Sequence, residues 1–272
     1  MTIPAPISNR LERQIAVVLG GSGVLGAALC HALADHGATV VILGRNLAKA
    51  QALADTLATK AHACACDVLN RQSLLEARVW LHSHVGTTDI LVNCAGGNSP
   101  QASTSAERSF FALEDSALQH MTDLNYLGTV RACQVFGQDL TDKGAGAIVN
   151  IASMASFRPV TRGLGYGAAK AAVAQFTQWL AVHFALEYSP KIRVNAIAPG
   201  FFLTEQNQYL LTHPDGSPTP RAATIVAHTP QRRLGAAADL QSTLLWLVDP
   251  ASGFITGTIV PVDGGFSAFS GV

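Results

Sequence analysis

Seven short runs of β-branched and aliphatic residues recur along the chain, at residues 15–19, 39–43, 62–66, 90–93, 147–151, 192–197 and 258–262. Most are apolar almost without a break. A strand with one wetted face alternates polar and apolar positions, so continuous runs predict strands covered on both faces. Between them lie longer stretches with helical spacing, near residues 26–36, 47–59, 71–84, 117–142, 166–187 and 237–247. Strands alternating with helices predict an α/β fold: one Rossmann domain over residues 1–272, with a doubly wound, seven-stranded parallel sheet and helices on both faces. In such sheets ligands bind outside the carboxyl ends of the strands. One stretch breaks the rhythm. Residues 201–234 are long, mixed and turn-rich (His213-Pro214-Asp215-Gly216-Ser217-Pro218), and an irregular segment of that length in a compact domain predicts a lid over a substrate.

The first run leads directly into Gly20-Gly21-Ser22-Gly23-Val24-Leu25-Gly26 and then a helix. Glycines in the first βα turn allow a tight turn and let a pyrophosphate approach backbone N–H groups at a helix N-terminus. An acidic residue about 20 positions on usually grips the ribose 2′-hydroxyl. Here the second strand ends Ile42-Leu43-Gly44-Arg45-Asn46, with no carboxylate and with Arg45 where a 2′-phosphate would sit. A guanidinium fork matches phosphate geometry. NADP(H) is therefore favoured over NAD(H), which remains the alternative. Asp67, closing the third strand, is placed to accept from the adenine amine, and Asn93-Cys94-Ala95-Gly96 closes the fourth strand beside the cofactor.

Tyr166 and Lys170 stand four apart on a predicted helix and project from one face. A phenol titrates near 10 and needs a lowered pKa to exchange protons near neutrality. An ammonium one turn away, with the positive ring of a bound nicotinamide, would supply it. Ser153 follows the fifth strand at the same sheet edge, where its hydroxyl can hold a substrate oxygen. Asn125, inside a helix, offers a side-chain amide to hold a water for a proton relay.

With these residues the sequence resembles the short-chain dehydrogenase/reductase family over nearly its whole length, from about Gln14 to the C-terminus. The resemblance rests on residues 20–26, Asp67, residues 93–96, Asn125, Ser153, Tyr166-Gly167-Ala168-Ala169-Lys170, Pro199-Gly200 and Thr204, and on the Ser–Tyr spacing of 13. It implies NAD(P)-dependent interconversion of a secondary alcohol and a ketone. Tyr166 would be the acid/base, Ser153 would orient substrate, Lys170 would also bind the nicotinamide ribose, and Asn125 would complete the relay. Thr204 with the Pro199-Gly200 turn would contact the carboxamide. The implied cofactor surface comprises Gly20, Ser22, Gly23, Val24, Leu25, Gly26, Arg45, Asp67, Val68, Asn93, Ala95, Gly96, Tyr166, Lys170, Pro199, Gly200, Phe202 and Thr204. Two features depart from the family pattern: Leu19 replaces its threonine, and the glycines fall at 20, 23 and 26. Within the family the sequence is similar to D-mannonate (fructuronate) oxidoreductase-like enzymes, on residues 23–26, Ala95-Gly96-Gly97-Asn98, Phe157-Arg158-Pro159, residues 198–207 and Val262-Asp263-Gly264-Gly265-Phe266-Ser267. Those enzymes carry an acidic residue where this chain has Gly44.

A sugar acid suits an arginine fork. Arg162, four residues before Tyr166, is the candidate carboxylate anchor, with Asn98, Ser153, Arg158, Gln206 and Asn207 as further polar contacts. Other keto-sugars, polyols or ketones (a 5-ketogluconate-type reductase among them) stay open, as does a non-catalytic dinucleotide-sensing protein. That last reading leaves the full Asn125–Ser153–Tyr166–Lys170 set without a purpose. Hydrophobic residues make up 49% of the chain and charged residues 13%, which predicts apolar surface spent on subunit contacts. The resemblance implies a homotetramer, or a dimer, built on the apolar 166–187 helix and its predecessor. Lys+Arg and Asp+Glu balance at 18 each, so no basic excess invites nucleic acid. No apolar run reaches the roughly 18 residues of a membrane span, and the first 14 residues lack the apolar stretch of a secretion signal. Five cysteines without paired metal-ligand spacing predict buried thiols and no metal. The expected compartment is the cytoplasm.

Overall fold

The computed structural model describes residues 10–204 and 207–271. Its seven strands are β1 (Ile15–Leu19), β2 (Thr39–Gly44), β3 (Ala61–Ala65), β4 (Ile90–Asn93), β5 (Gly146–Ile151), β6 (Ile192–Pro199) and β7 (Ile259–Val262). They form one sheet in the order β3-β2-β1-β4-β5-β6-β7, and every pairing is parallel. This is the predicted Rossmann-like α/β fold. Strand ends differ from the sequence reading by at most two residues, because apolar patterning marks the covered part of a strand and not its last hydrogen bond.

The sheet separates two cores. Along β1, Ala16 and Val18 face one layer while Val17 and Leu19 face the other, and all four are buried. On the first side pack α1 (Val24–Asp35), through Leu29, Cys30 and Leu33, α2 (Leu47–Ala54), and α9 (Gln241–Val248), through Leu244 and Leu247. On the second pack α3 (Arg71–His84), α5 (Gly128–Lys143) and α6 (Leu164–Glu187), led by Leu74, Phe136, Leu140, Phe176 and Leu180. Full burial of each such side chain contributes roughly 1.5–3 kcal/mol.

The stretch predicted as one helix over 117–142 is two. An α4 helix (Asp115–Thr122) passes into a π-helical turn at Asp123–Leu127 before α5 begins. Asn125 explains the widening: its Nδ2 donates to the Met121 carbonyl, 3.0 Å away and four residues back. That carbonyl ordinarily serves the helix ladder, and a side-chain competitor loosens it.

Segment 201–234 is more regular than predicted. It holds a single turn, α7 (Gln208–Leu211), and a helix, α8 (Pro220–His228). Thr219 caps α8 by accepting from the Ala222 N–H at 3.3 Å, and Pro220 occupies its first turn. This is a standard start signal, hidden in the sequence by the prolines and glycine just before it. The segment is tied at its base by Gly235 N–H donating to the Phe201 carbonyl at 2.9 Å.

Among the described residues no helix is long and apolar enough to cross a membrane, and no group of three or more His, Cys, Asp or Glu could hold a metal ion. All five cysteines are free thiols.

Candidate active site

Two cavities open at the carboxyl ends of the strands. The larger, about 940 Å³, runs past the ends of β1 to β4 and reaches Ile151, Tyr166, Lys170 and Thr204. The smaller, about 500 Å³, lies between the ends of β5 and β6, the loop after β4 and segment 201–234. They share Leu25, Asn98, Ile151, Tyr166 and Thr204, so Tyr166 stands in the wall between them.

The larger cavity suits a dinucleotide. It is lined by Gly20, Ser22, Gly23, Val24, Leu25 and Gly26. The backbone here tolerates only glycine at two points. Gly20 has φ +74°, and a Cβ on it would lie 2.7 Å from the Ala95 backbone. A Cβ on Gly26 would lie 2.3 Å from the Gly20 carbonyl oxygen. The N-terminus of α1 therefore packs hard against the turn. It has no side-chain cap at Gly23 and no acidic residue in its first turn, so its positive end is left for an anion. Arg45, Asp67 and Val68 line the same cavity, with Ala95 and Gly96 further along. Arg45 is exposed at the end of β2, beside Gly44. One Asp67 oxygen, Oδ1, accepts from Leu69 N–H at 3.0 Å.

Asn93 is a correction. Expected at the cofactor, it is 3% exposed and points into the sheet interior. In a strand, residue 93 shares its face with Leu91, which packs beneath α5 and α6. Its Nδ2 donates to Asn150 Oδ1 at 2.8 Å and to Cys133 Sγ at 3.2 Å, and Asn150 Nδ2 donates onward to Thr177 Oγ1 at 2.9 Å. Asn93 props the floor of the site without lining it.

The Asn125 amide is engaged on the loop after β4: Oδ1 accepts from Gly97 N–H at 2.9 Å, while Nδ2 donates to the Gly97 carbonyl at 2.9 Å and to Met121. The side chain is fully buried. It fastens the loop after β4 to the helix.

Ser153, Tyr166 and Lys170 do converge. Ser153 is 6% exposed at the end of β5, its Oγ accepting from Ala155 N–H at 3.2 Å. Tyr166 and Lys170 lie one turn apart near the start of α6, Lys170 Nζ being 5.9 Å from the Tyr166 ring centre. Burial pushes the Tyr166 phenol above its usual range, the Ser153 hydroxyl pulls it down by hydrogen bonding, and Cys94 raises it further. The Lys170 ammonium donates to the Ile151 carbonyl at 2.7 Å, and burial brings its own pKa down to about 8, against an opposing pull from Cys94.

Pro199, Gly200 and Phe202, expected at the cofactor, line the smaller cavity, whereas Thr204 lines both. Asn98 borders both cavities, its Oδ1 accepting from Ser99 N–H at 2.9 Å. Asn207 lines the smaller cavity but is spent on its own loop, accepting from Thr204 N–H at 2.8 Å and donating to the Phe202 carbonyl at 2.6 Å. Arg162 lines the smaller cavity at an exposed position. Arg158 points away, donating to the Ser267 carbonyl at 3.1 Å. Gln206 lies outside the described residues. Sequence reasoning missed Arg108 and Arg221, which also line the smaller cavity. Neither sits in a recognisable motif, although the Thr219-Pro220 helix start places Arg221 on a helix.

Residues 21–267 match the enoyl-(acyl carrier protein) reductase family. A Bacillus subtilis protein named uncharacterized oxidoreductase UxuB is 45% identical over 98% of this chain and 99% of its own. A Haemophilus influenzae structure, described as a candidate D-mannonate oxidoreductase with bound NAD, superposes with a TM-score of 0.91 at 40% identity, covering 98% of this chain and 99% of that one. A gluconate 5-dehydrogenase from Burkholderia cenocepacia, solved with NADP and tartrate, gives a TM-score of 0.84 at 27% identity, covering 97% and 99%.

Proposed function

The chain belongs to the short-chain dehydrogenase/reductase family and is an NAD(P)-dependent oxidoreductase; from that premise we propose that it interconverts a secondary alcohol and a ketone on a sugar acid of the D-fructuronate/D-mannonate type. The observation that carries this reading is the place of Tyr166 in the wall shared by the two cavities. When bound, the dinucleotide supplies or takes the hydride. The chain's own residues handle the proton and the geometry. Tyr166 gives its hydroxyl proton to the substrate oxygen during reduction and takes it back during oxidation. Ser153 holds that oxygen beside the phenol. Lys170, fixed by the Ile151 carbonyl, sets a positive charge under the pair and faces the cofactor cavity, and Asn125 holds the loop that closes the site. Segment 201–234 is the substrate lid, with the rest of residues 1–272 as one domain. The larger cavity takes the cofactor through Gly20–Gly26 backbone N–H groups, Asp67 and Thr204.

A panel of D-fructuronate, 5-keto-D-gluconate, D-fructose and simple ketones, assayed with NADPH and NADH, tests the substrate class. The keto-acids are expected to give the highest kcat/KM. A neutral ketone that outruns them removes the sugar-acid assignment.

NADP(H) is the favoured cofactor, through Arg45. The Haemophilus protein holds NAD and the Burkholderia protein NADP, so relatives go both ways, and the missing carboxylate at Gly44–Arg45 is the local argument. A hydrogen bond to a charged group contributes about 1.5–3 kcal/mol. Arg45→Ala is therefore expected to cut the NADPH/NADH ratio of kcat/KM by roughly tenfold or more. A ratio unmoved by the substitution, or a wild type preferring NADH, disproves the assignment.

Self-association, as a homotetramer or dimer, follows from the apolar side chains that α6 leaves exposed. Trp179 is 52% and Leu186 78% accessible, with Val182 between them; exposed apolar surface of that kind usually marks an interface. The compartment proposed is the cytoplasm.

A further inference from the structure

We propose that Arg108, and not Arg162, receives the carboxylate of the substrate and sets the preference for acids over neutral sugars. The inference rests on the sugar-acid reading above. Only 13% of the chain is charged, yet three guanidinium groups line the smaller cavity. Arg108 comes from the loop between β4 and α4, Arg162 from the turn before α6, and Arg221 from the first turn of α8. Among the described residues Glu107 is the one carboxylate in that lining, and no lysine joins it. A cavity so lined favours an anion.

The three arginines are not equivalent. Arg162 is exposed and shares its field with Glu107. The Glu107 carboxyl is held below its usual range first by the Ser105 hydroxyl, then by its own backbone N–H, with Arg162 adding to the effect. Arg221 is occupied in fastening α8 to the turn before α6: Nη1 donates to Thr161 Oγ1 at 3.1 Å and Nη2 to the Thr161 carbonyl at 3.5 Å.

Arg108 differs from both. Its Nη1 donates to the Pro100 carbonyl at 2.5 Å. A neutral carbonyl aims the guanidinium without cancelling its charge, and the remaining N–H groups keep the fork that a carboxylate fits. Arg108 takes part in none of the ion pairs among the described residues. Its backbone is fixed as well: Arg108 N–H donates to Ser105 Oγ at 3.1 Å, and Ser105 N–H donates to the Arg108 carbonyl at 2.9 Å. A side chain held in place before binding loses less entropy when it binds.

The loop bearing Arg108 is also held at a set distance from Tyr166. Thr104 N–H donates to the Arg162 carbonyl at 3.1 Å, four residues before the phenol. Arg162 adopts φ +74°, a left-handed conformation that is costly for a non-glycine residue and persists only where surrounding contacts enforce it. Anchor and reacting hydroxyl both line the smaller cavity, and the bond from Thr104 to Arg162 ties the loop of the one to the turn before the other. In that arrangement the substrate lies with its carbonyl at Ser153–Tyr166 and its carboxylate at Arg108.

D-fructuronate and D-fructose differ at one terminal carbon, carboxylate against hydroxymethyl. The test is the ratio of their kcat/KM values in the wild type, Arg108→Met, Arg108→Lys and Arg162→Met. A merely structural role for Arg108 slows both substrates alike and leaves the ratio alone. The expected result is a wild-type preference for the acid and a fall of at least about tenfold in the ratio for Arg108→Met, the loss of one charged hydrogen bond. Arg108→Lys, which keeps the charge and loses the fork, is expected to fall by about threefold or more, and it supplies the ratio if the Met variant does not fold. Arg162→Met is expected to fall less than Arg108→Met. A wild type with no preference for the acid defeats the substrate-class reading itself. A wild-type preference that survives in both Arg108 variants, or drops further in Arg162→Met, defeats the Arg108 assignment alone.

Discussion

Tyr166→Phe is expected to lower kcat about a thousandfold while dinucleotide binding and the melting temperature stay close to wild type. The substitution removes one oxygen and leaves the ring packing of a partly buried side chain intact. A positioned acid/base contributes roughly 10²- to 10⁴-fold, and a phenylalanine can neither give nor take the proton. The pH dependence sharpens the test. Burial raises the phenol above its usual range and outweighs the pull of the Ser153 hydroxyl, so in the protein alone the group is protonated at neutral pH. Reduction, which starts from the protonated phenol, is expected to be level through neutral pH. Oxidation, which starts from the phenolate, is expected to accelerate as pH rises. Steady-state rates in both directions from pH 6 to 10 measure this, and Tyr166→Phe should lack the alkaline rise. Retention of more than a tenth of wild-type kcat would remove Tyr166 from the chemistry. Equal, negligible rates in both proteins would instead indicate a dinucleotide sensor.

The sheet was legible in the sequence because burial on both faces leaves a plain signature. Runs such as Ala16–Leu19 have no polar position to mislead, and Leu29, Cys30 and Leu33 of α1 meet them at helical spacing. Tyr166, Lys170 and Ser153 could be placed for a similar reason: each sits at a strand end or in a helix start that the pattern locates. What the sequence concealed was direction and competition. Whether Asn93 faces the cofactor or the core depends on one step of strand alternation, and the match to Leu91 sends it inward. Asn125 sits where a regular helix was expected, but its amide turns to the Met121 carbonyl and to Gly97, which goes with the π-helical turn and ties the group to the loop after β4. The Tyr166 shift also turned on a balance invisible in one dimension. In the protein alone, desolvation outweighs the Ser153 hydrogen bond at the phenol while the Lys170 ammonium turns to Ile151. Arg108 and Arg221 escaped notice because long loops bring residues together through tertiary contacts that no local period records.

Lys170→Met is expected to stabilise the fold at neutral pH and to cripple the enzyme. Lys170 is 4% exposed, and burial lowers its pKa from 10.5 to about 8. Its folded pKa lies below its unfolded one. Between pH 8 and 10.5 the unfolded chain therefore holds a proton that the native state lacks, and stability rises with pH across that window. Below pH 8 the native protein carries the full cost of a buried ammonium, about 3 kcal/mol. Methionine has a similar length and no charge to bury. It forfeits the 2.7 Å bond from a charged donor to the Ile151 carbonyl, at about 1.5–3 kcal/mol. The net gain at pH 7 is about 1 kcal/mol, or roughly 2–4 °C in Tm for a chain of this size. The difference between variant and wild type should shrink as pH climbs from 8 toward 10.5, because only the wild type improves there. Activity moves the other way, falling roughly tenfold to a hundredfold with the loss of a charged donor at the cofactor cavity. Thermal melts at pH 7, 8, 9 and 10, run beside kcat/KM, decide the matter. A lower Tm at pH 7, or a gap that ignores pH, would mean that Ile151 and its neighbours already compensate the buried charge, and that the site was assembled without the trade of stability for function that natural active sites so often make.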